Sequence, residues 1–555
     1  MRLSPMLMTD FYKTIHHLAY VPDLDYLVSY WTPRMTRKEG IDKIILFGLQ
    51  AFLKKTLIEE FQQNFFDREW AEVEAEYIRL VANTMTPQAA DSTAMKSLHD
   101  LGYLPIRISA VPEGTRVPVK VPMIEVTNTV KGFGWLVNYL ETLMSCSIWQ
   151  PMTAASIAYQ YREFCEFYYR RTVSDTVAEH GNSTEKIDFL PPVNALCGDF
   201  SMRGMSAPEA AMSTSAGHLT SFIGSATIPA ILWLEQYYHC DCTKETVGKG
   251  VPSTEHSVMS SYGKDGEFDC YRHLICEAFP RGPLSIVSDT YDYWNVLTRY
   301  LPKLKNEILS RDGKVIIRGD SGDPVDIICG TFPEEIRDFP TIERMTVFYQ
   351  KTNNGKHYGR VDGQLYEIVP GTLEGVKAIS LTPEEKGTVE LLWETFGGVV
   401  NDKGYKMLDR HIGAIYGDSI TIDRAVKIWD RLSAKGFAIT NVVLGIGSFT
   451  YQYNTRDTFG FALKATNSII AGKETPIFKD PITDRVDGSH FKKSQKGMCY
   501  VYWDNGEIKY RDELSFEDMG SVAYGDNLIQ PVFENGRMLR EFTLKEIRDR
   551  LYDSF

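Results

Sequence analysis

The sequence predicts an α/β fold built from repeated β/α units, in a chain of more than one domain. One observation supports each part of this prediction. Between about residues 193 and 449, short apolar runs alternate with amphipathic segments of helix length, a pattern typical of strands and helices around a parallel sheet or barrel. The chain of 555 residues is also longer than one compact core accommodates. Two or more domains are therefore expected.

The first 150 residues predict a mixture of strands and helices. The segment DYLVSYW is predicted as a strand, and FGLQAFLKKTLIEEF and REWAEVEAEYIRLVANTM as helices. In LPIRISAVPEGTRVPVKVPMIEVTN, apolar and polar residues alternate between Pro and Gly breaks, which indicates a half-exposed antiparallel sheet. A long helix is expected from about Phe133 to Tyr169.

Five apolar runs are predicted as strands of the β/α region: AILWLEQYY, LSIVSD, KVIIRGD, IGAIYGD and NVVLGIGS. Four of the five end in Asp, Gly or Ser, and IDRAVKIWDRLSAKG follows as a helix. In a β/α barrel the loops after the strands form the face that carries the chemistry. A series of polar, glycine-rich strand ends therefore predicts a functional site on that face.

The remaining segments predict smaller units. An insertion at about residues 353–405 contains the hairpin-like YGRVDGQLYEIV. The last 90 residues return to strands and turns, as in YVYWDNGEIKYRDE, and finish with the helix TLKEIRDRLYDSF.

Composition excludes several classes of protein. A net charge of −13 argues against a dedicated nucleic-acid binder. No apolar run is long enough to cross a bilayer, and the N-terminus lacks the features of a signal peptide, so a cytoplasmic protein without membrane partners is expected. The nine cysteines include Cys240 and Cys242 beside His239, but no second ligand pair has zinc-like spacing, which favours reduced structural thiols.

Three aspartates stand at predicted strand ends: Asp289, Asp320 and Asp418. Their carboxylates could bind ribose hydroxyls or a hydrated Mg²⁺, since oxygen-rich sites suit that ion. Alternatively, each aspartate caps the helix that follows it. Three such residues together favour the sugar or metal site.

The segment after the last predicted strand has features of a phosphate site. Gly445, Gly447 and Ser448 would let the backbone approach a phosphate at the start of a helix, and Arg456 and Lys464 add cations. The alternative is a tight turn with surface cations. Further on, four lysines form either a solvated loop or a flap over a polyanion: Lys479, Lys492, Lys493 and Lys496.

Two further pairs of residues have a functional and a structural interpretation. Glu255 and His256 follow a Pro-Ser-Thr turn; a lone histidine is more often structural, but the adjacent carboxylate favours an acid–base role. Phe200 and Arg203 could enclose a flat heterocycle, although Phe200 taken alone reads as a core residue.

Taken in order, the motifs TDFYK, FGLQ, GDFSMRG, VPSTEHS, SIVSDTYD, RGDSGDP, IYGDS and GIGS…TRD…K resemble the nicotinamide phosphoribosyltransferase family of type II phosphoribosyltransferases. The resemblance runs from about Thr9 to Gly497. It implies a β/α barrel at residues 156–455 and a second α/β domain formed by residues 1–155 and 456–555.

The resemblance also implies an activity: transfer of the phosphoribosyl group of 5-phosphoribosyl-1-pyrophosphate to nicotinamide in NAD salvage, with Mg²⁺, in a homodimer with shared active sites. His256 matches a histidine that ATP phosphorylates to stimulate synthesis. Asp289, Asp320 and Glu255 complete the expected catalytic set. Matches to base, ribose, phosphate and pyrophosphate positions are Tyr12 (from the partner subunit), Phe200, Arg203, Ser285, Arg318, Gly417, Asp418, Gly447, Ser448, Arg34, Arg456, Lys464, Lys479, Lys492 and Lys493.

One departure from the family bears on the choice of base. Ala226 stands where the family has an aspartate that accepts a hydrogen bond from the carboxamide and repels nicotinate. Gly250 and Ser448 are milder replacements near the ribose and phosphate. Nicotinate phosphoribosyltransferase and a non-catalytic binding protein therefore remain alternatives, whereas a sugar-phosphate aldolase or isomerase would need a Schiff-base lysine or acid/base pair that is not seen.

Overall fold

The centre of the molecule is a ring of parallel strands. The computed structural model describes residues 3–174, 193–332, 336–350, 355–369, 375–417, 419–480, 494–521 and 525–552. Six strands form one parallel sheet: β1 (Cys197–Asp199), β2 (Gly224–Ser225), β3 (Leu284–Val287), β4 (Val315–Gly319), β5 (Ile412–Tyr416) and β6 (Val442–Ile446).

The ring closes through an extended segment at residues 249–253, called here the bridging segment. Its Lys249 pairs with Gly224 of β2, and its Ser253 pairs with Ser285 of β3, both in parallel. The other neighbours in the ring are β3–β4, β4–β5, β5–β6, β6–β1 and β1–β2. The strands thus follow one another in chain order, and the predicted barrel-like fold is confirmed.

A second sheet joins the two ends of the chain. Its seven strands pair antiparallel in the order Lys473–Pro476, Ala462–Ile470, Leu24–Thr32, Ile124–Asn128, Ile106–Ala110, Gln530–Glu534 and Arg537–Met538. Three strands come from the first 130 residues and four from the last 100, as expected for an α/β domain formed by both terminal segments. Leu27, Tyr30 and Trp31 are fully buried, and the long N-terminal strand to which they belong is buried on both faces in the core of this domain.

Helices surround both sheets, and none within the described ranges is long and apolar enough to cross a bilayer. The longer ones pack through apolar stripes, as in Ile422–Ala434, where Ala425, Ile428 and Leu432 are buried. The α-helices are His16–Ala19, Leu49–Phe52, Trp70–Thr84, Thr93–Leu101, Gly134–Tyr139, Glu141–Thr172, Pro208–His218, Ile228–Tyr238, His256–Ser260, Glu267–His273, Tyr293–Asn295, Leu301–Lys303, Lys305–Leu309, Pro324–Cys329, Ile342–Tyr349, Pro383–Lys386, Thr388–Phe396, Ile422–Ala434, Ser448–Gln452, Phe516–Met519 and Leu544–Tyr552.

One of the five predicted barrel strands is wrong. AILWLEQYY lies in the helix Ile228–Tyr238, which begins with a proline in its first turn. Ala230, Leu234 and Tyr238 are buried at a spacing of four residues, so the run has one helical face against the core and not the two faces of a buried strand.

Smaller sheets complete the fold. The predicted insertion supplies three strands of a four-stranded sheet, His357–Val361, Gln364–Ile368 and Val376–Ile379. The fourth strand, Arg337–Phe339, precedes the insertion, and the unit has its own small core. Two-stranded sheets pair Gly398–Val400 with Lys406–Leu408, Lys43–Ile45 with Arg116–Pro118, and Met498–Asp504 with Glu507–Leu514.

Candidate active site

A cavity of 1910 Å³ occupies the barrel, and its wall includes residues at both the amino and the carboxyl ends of the strands. Its wall combines strand ends, the bridging segment and the loops that follow them. Eleven of the predicted site residues line it: Phe200, Arg203, Ala226, Glu255, His256, Ser285, Arg318, Asp320, Gly417, Gly447 and Ser448. The fold therefore brings together most of the site residues that were predicted from the sequence. Their individual roles stay predictions.

Phe200 lies on the inner surface of the barrel against glycines of neighbouring strands. Its N–H donates to the carbonyl of Ile446 at 2.9 Å, which fixes the backbone between β1 and β6. A Cβ added to Gly445 would lie 2.5 Å from the ring, and one added to Gly198 would lie 3.3 Å from it. The ring is only half-buried and faces the cavity. The Phe200 ring is thus part of the barrel packing and also presents an aromatic surface to the cavity.

Arg318 and Asp320 form an ion pair at the end of β4, and Asp289 is a buried carboxylate after β3. The guanidinium of Arg318 donates to both carboxylate oxygens of Asp320, with Nε to Oδ1 at 2.9 Å. The N–H of Asp320 donates to Oδ2 of Asp289 at 3.0 Å, while Oδ1 of Asp289 is buried without a hydrogen-bond partner among the described residues. A Cβ at Gly417 would lie 2.7 Å from Asp320, so only glycine leaves room for this pair.

Helix capping does not account for these two aspartates. The helix Tyr293–Asn295 is capped by Asp292, and Pro324–Cys329 is capped by Asp323. Each cap stands three residues after the strand-end aspartate. The capping alternative is therefore wrong for Asp289 and Asp320, which leaves their carboxylates available to a ligand.

His256 contacts Thr290 and Asp289, and not the adjacent Glu255 that the sequence suggested as its partner. Its Nδ1 lies 3.0 Å from Oγ1 of Thr290, and its Nε2 lies 3.8 Å from Oδ1 of Asp289. Glu255 instead accepts a hydrogen bond from the hydroxyl of Ser257. The side chain of His256 is 50% exposed, so the imidazole is open to the cavity while Asp289 and Thr290 orient it.

Ser285 and Ala226 lie on the cavity wall, at the position where the family resemblance predicts that the base binds. The hydroxyl of Ser285 is buried and has no hydrogen-bond partner within the described part of the chain. An unpaired buried hydroxyl is costly unless a ligand or water completes it. Ala226 is exposed to the cavity, and its N–H donates to the carbonyl of Asp199 at 2.9 Å.

The predicted phosphate turn lies at the start of the short helix Ser448–Gln452, after β6. Gly447 is the N-cap residue, and nothing lies within 4 Å of the position that its Cβ would occupy. Ser448 packs against Gly204, where any side chain would collide with the serine hydroxyl. The turn is thus open on the cavity side, as an approaching phosphate requires.

The predicted pyrophosphate-binding cations lie elsewhere, in a group around Glu141 that is called here the cation cluster. Arg34, Arg456 and Lys464 belong to it, with Tyr12 beside them. Lys464 lies 3.5 Å from Glu141, and burial followed by the neighbouring Arg456 lowers the pKa of Arg34. Burial, Asp10 and Glu141 raise the pKa of Tyr12 while Arg456 opposes them, and the Tyr12 side chain is 56% exposed.

None of these described residues of the cation cluster lines the cavity of its own barrel. Lys479 is exposed and likewise absent from the wall. The predictions for Asp418, Lys492 and Lys493 fall outside the described residues. The chain thus carries a barrel cavity, lined by the residues predicted for the base and ribose, and a separate group of cations that does not line it.

Sequence reasoning missed Asp199, which lies at the end of β1 and is completely buried. Its Oδ1 accepts from the N–H of Ser201 at 3.1 Å and from the Ser201 hydroxyl at 2.6 Å. Its Oδ2 accepts from Thr227 Oγ1 at 3.0 Å and lies 3.4 Å from Ser225 Oγ. The signal was available, because Asp199 is a strand-end aspartate like Asp289 and Asp320.

The cysteines form neither disulfides nor a metal site. All nine are free thiols, and within the described ranges no group of three or more His, Cys, Asp or Glu side chains could hold a metal ion. Burial raises the pKa of Cys240 to about 12, so that thiol is protonated. The lack of a three-ligand group does not apply to an Mg²⁺ ion carried by a polyphosphate, because such an ion needs only one or two protein carboxylates.

Comparison with known proteins assigns the chain to a family. Residues 195–526 match the sequence model of the nicotinate phosphoribosyltransferase (NAPRTase) family. The chain belongs to this family. A protein of Acinetobacter baylyi named nicotinamide phosphoribosyltransferase is 40% identical over 99% of this chain and 97% of its own length.

Other relatives of this phosphoribosyltransferase extend the comparison. A nicotinamide phosphoribosyltransferase of Xanthomonas campestris pv. campestris is 29% identical over 98% of this chain and 97% of its own length. Among solved structures, human nicotinic acid phosphoribosyltransferase superposes with a TM-score of 0.54 at 14% identity, over 99% of this chain and 93% of that one. That likeness establishes the fold alone.

Proposed function

We propose that the protein transfers the phosphoribosyl group of 5-phosphoribosyl-1-pyrophosphate to the ring nitrogen of nicotinamide, giving nicotinamide mononucleotide and pyrophosphate. The observation that carries this proposal is the meeting of an aromatic wall, an ion-paired Arg318 and Asp320, and the unpartnered hydroxyl of Ser285 in one cavity. The names of the relatives from Acinetobacter and Xanthomonas support nicotinamide as the base.

The chemistry follows from where charge develops. As the bond from C1 to pyrophosphate breaks, the ribose acquires positive charge, which the carboxylates of Asp289 and Asp320 stabilise. Phe200 holds the pyridine ring in the plane that aims its nitrogen at C1. Ser285 completes its hydrogen bonding with the carboxamide. The nitrogen lone pair forms the new bond, and the electrons of the old bond leave with pyrophosphate.

The departing pyrophosphate needs cations, and those that the family resemblance predicts for it, Arg34, Arg456 and Lys464, do not line the barrel cavity. The cation cluster of Arg34, Arg456 and Lys464 lies on the domain formed by the chain ends, where the side chains of Arg456 and Lys464 are partly exposed and Tyr12 lies beside them. We infer that a second copy of the chain brings its cluster to this barrel, with Tyr12 covering the base opposite Phe200. A two-fold dimer would then contain two equivalent shared sites.

Mg²⁺ and ATP belong to the proposal as co-reactants. The buried Oδ1 of Asp289, which accepts no hydrogen bond from the described residues, would hold a water-bound Mg²⁺, and the ion when bound would neutralise charge on the pyrophosphate. The half-exposed imidazole of His256, oriented by Thr290, is placed to receive the γ-phosphoryl group of ATP with release of ADP. Phosphorylation of His256 adds negative charge beside Asp289. This added charge couples ATP hydrolysis to the binding of the substrates.

Nicotinate is the alternative base, and Ala226 is the observation that favours it. Without a carboxylate at that position, the wall loses one group that would repel an acid. The neutral Ser285 hydroxyl can hydrogen-bond either base.

The direct test is product formation by the purified protein with phosphoribosyl pyrophosphate and Mg²⁺, offered nicotinamide and nicotinate in parallel, each with and without ATP. We expect a higher kcat/KM for nicotinamide and stimulation by ATP that His256→Ala abolishes. A higher kcat/KM for nicotinate would overturn the assignment of the base. No product from either base would overturn the proposed reaction.

A further inference from the structure

The two ends of the barrel cavity differ in charge. Leaving histidines aside, the wall at the carboxyl ends of the strands has two cations and two carboxylates: Arg203, Arg318, Glu255 and Asp320. The wall at the amino ends of the strands is called here the amino-end wall. Its charged members are Lys249, Arg311, Asp312, Lys314 and Arg410. Four cations therefore accompany one carboxylate at this end, in a chain whose net charge is −13.

Lys314, directly before β4, extends along the inner surface of the barrel. Its Cδ lies 3.3 Å and its Nζ 3.8 Å from the position that a Cβ on Gly413 would occupy, and Gly413 lines the cavity. Within the described ranges the ammonium forms no hydrogen bond or ion pair. Burial lowers the pKa of Lys314, while Asp409 opposes this shift but is itself bound to Nδ1 of His411 at 2.7 Å. An anion in the cavity would therefore stabilise this ammonium.

Other groups of the amino-end wall add positive charge and unused hydrogen-bonding capacity. Arg311 is buried, and its guanidinium donates to three backbone carbonyls and to no carboxylate of the described residues. The Nε of Arg311 and the Oγ1 of the buried Thr440 have no hydrogen-bond partner in that part of the chain. The Nε of Arg410 donates to Nε2 of His411 at 3.2 Å, which holds this guanidinium at the wall.

Phosphate is the anion that suits this set of groups. It carries about two negative charges at neutral pH, so it can pair with more than one cation. Its oxygens accept hydrogen bonds from ammonium and guanidinium groups at once. The carboxylate of the wall, Asp312, is exposed, and solvent screens its repulsion of an anion.

We propose that the amino-end wall is a second binding site, which takes inorganic phosphate or a phosphate monoester through Lys314 and Arg410, with the charge of Arg311 in support. The site lies at the opposite end of the barrel from Arg318 and Asp320. The inference does not rest on the proposed reaction.

Calorimetric titration of the purified protein with inorganic phosphate, and in a second arm with AMP, tests the proposal. Lys314→Met keeps an unbranched side chain and removes the cation, so the Kd at this site should rise about tenfold. Lys473→Met is the matched control, because Lys473 is exposed and does not line the cavity; its Kd values should stay within about twofold of wild type. Tighter binding of AMP that depends on Lys314 would identify a monoester as the ligand, and equal binding would identify phosphate itself.

Acetylation of the wild-type protein by acetic anhydride, measured at each lysine by peptide mass spectrometry, locates the ligand. Saturating phosphate should slow the acetylation of Lys314 about fivefold and leave Lys473 unchanged, because a bound anion keeps the amine protonated. This readout separates the site from the predicted phosphate turn at Gly447, and it needs no variant that might fail to fold.

The inference is overturned if Lys314→Met binds both ligands as tightly as wild type, or if phosphate leaves the acetylation of Lys314 unchanged. Neither measurement depends on turnover. A protein that forms no nicotinamide mononucleotide would therefore contradict the proposed function and not this inference.

Discussion

The loops after β3 and β4 each carry two aspartates three residues apart, and the structure gives the two members different tasks. The first aspartates of the two pairs are joined to each other: Asp320 lines the cavity and pairs with Arg318, and Asp289 accepts a hydrogen bond from the N–H of Asp320. The second, Asp292 or Asp323, accepts from the N–H groups of the next helix. Identical side chains therefore differ in function because of a three-residue shift along the loop.

A pair of substitutions separates these tasks. Asp289→Asn removes the buried charge near C1 of the ribose, and we expect kcat to fall about 100-fold with little change in unfolding temperature. Asp292→Ala removes a helix cap and should lower the free energy of unfolding by about 1 kcal/mol with kcat unchanged. Steady-state kinetics and thermal unfolding measure both. Equal losses of kcat in the two variants would contradict the division.

At this scale the sequence predicted which residue types line the site but not how they pair. Asp289 and Asp320 were identified by their position after apolar runs. The link from His256 to Thr290, and the burial of Asp199 behind Ala226, depend on strands that are distant in sequence. No local pattern encodes such contacts, since they arise only when the ring closes.

Among the elements, the strands of the ring differ in how well their sequences mark them. β3 to β6 were predicted because each is a run of four or five mostly apolar residues. β1, β2 and the bridging segment are too short or too polar to show a period, and they are strands only because neighbours supply hydrogen bonds. The helix at Ile228–Tyr238 was mistaken for a strand because its burial period was overlooked.

Glu113 joins two helices at the junction of the two domains, and its burial makes this contact depend on pH. It accepts from the N–H of Gln50 at 2.6 Å and from the Tyr238 hydroxyl at 2.8 Å. Burial raises its pKa to about 7, against an ordinary value of 4.5. The folded state therefore holds this proton more tightly than the unfolded state, and the associated stability is lost as pH rises from 4.5 through 7.

Urea unfolding of wild type and Glu113→Gln between pH 5 and 8 measures this effect. The free energy of unfolding of wild type minus that of the variant should fall by about 2 kcal/mol across the range, because only the wild type has the titrating group. A difference that stays constant with pH would show that Glu113 titrates alike in the folded and unfolded chains.

At the scale of the whole molecule, the predicted site residues are divided between two surfaces. The barrel holds the groups that we propose bind base and ribose, and the cation cluster lies on the domain formed by the two chain ends. The sequence alone gave the order of the motifs and, through the family resemblance, the expectation of two copies. It could not show from residue patterns that Arg456, only eight residues after Ser448, lies outside the wall that Ser448 lines.

The most direct test of the proposed reaction and its shared site is complementation between two inactive variants. Arg318→Ala removes a barrel residue, and Arg456→Ala removes a residue of the cation cluster. Each alone should form nicotinamide mononucleotide at least 100-fold more slowly than wild type. After subunit exchange in an equal mixture, half of the dimers are mixed and each has one intact site, so about a quarter of wild-type activity should return. A mixture as inactive as its components, or substantial activity in either variant alone, would contradict the account.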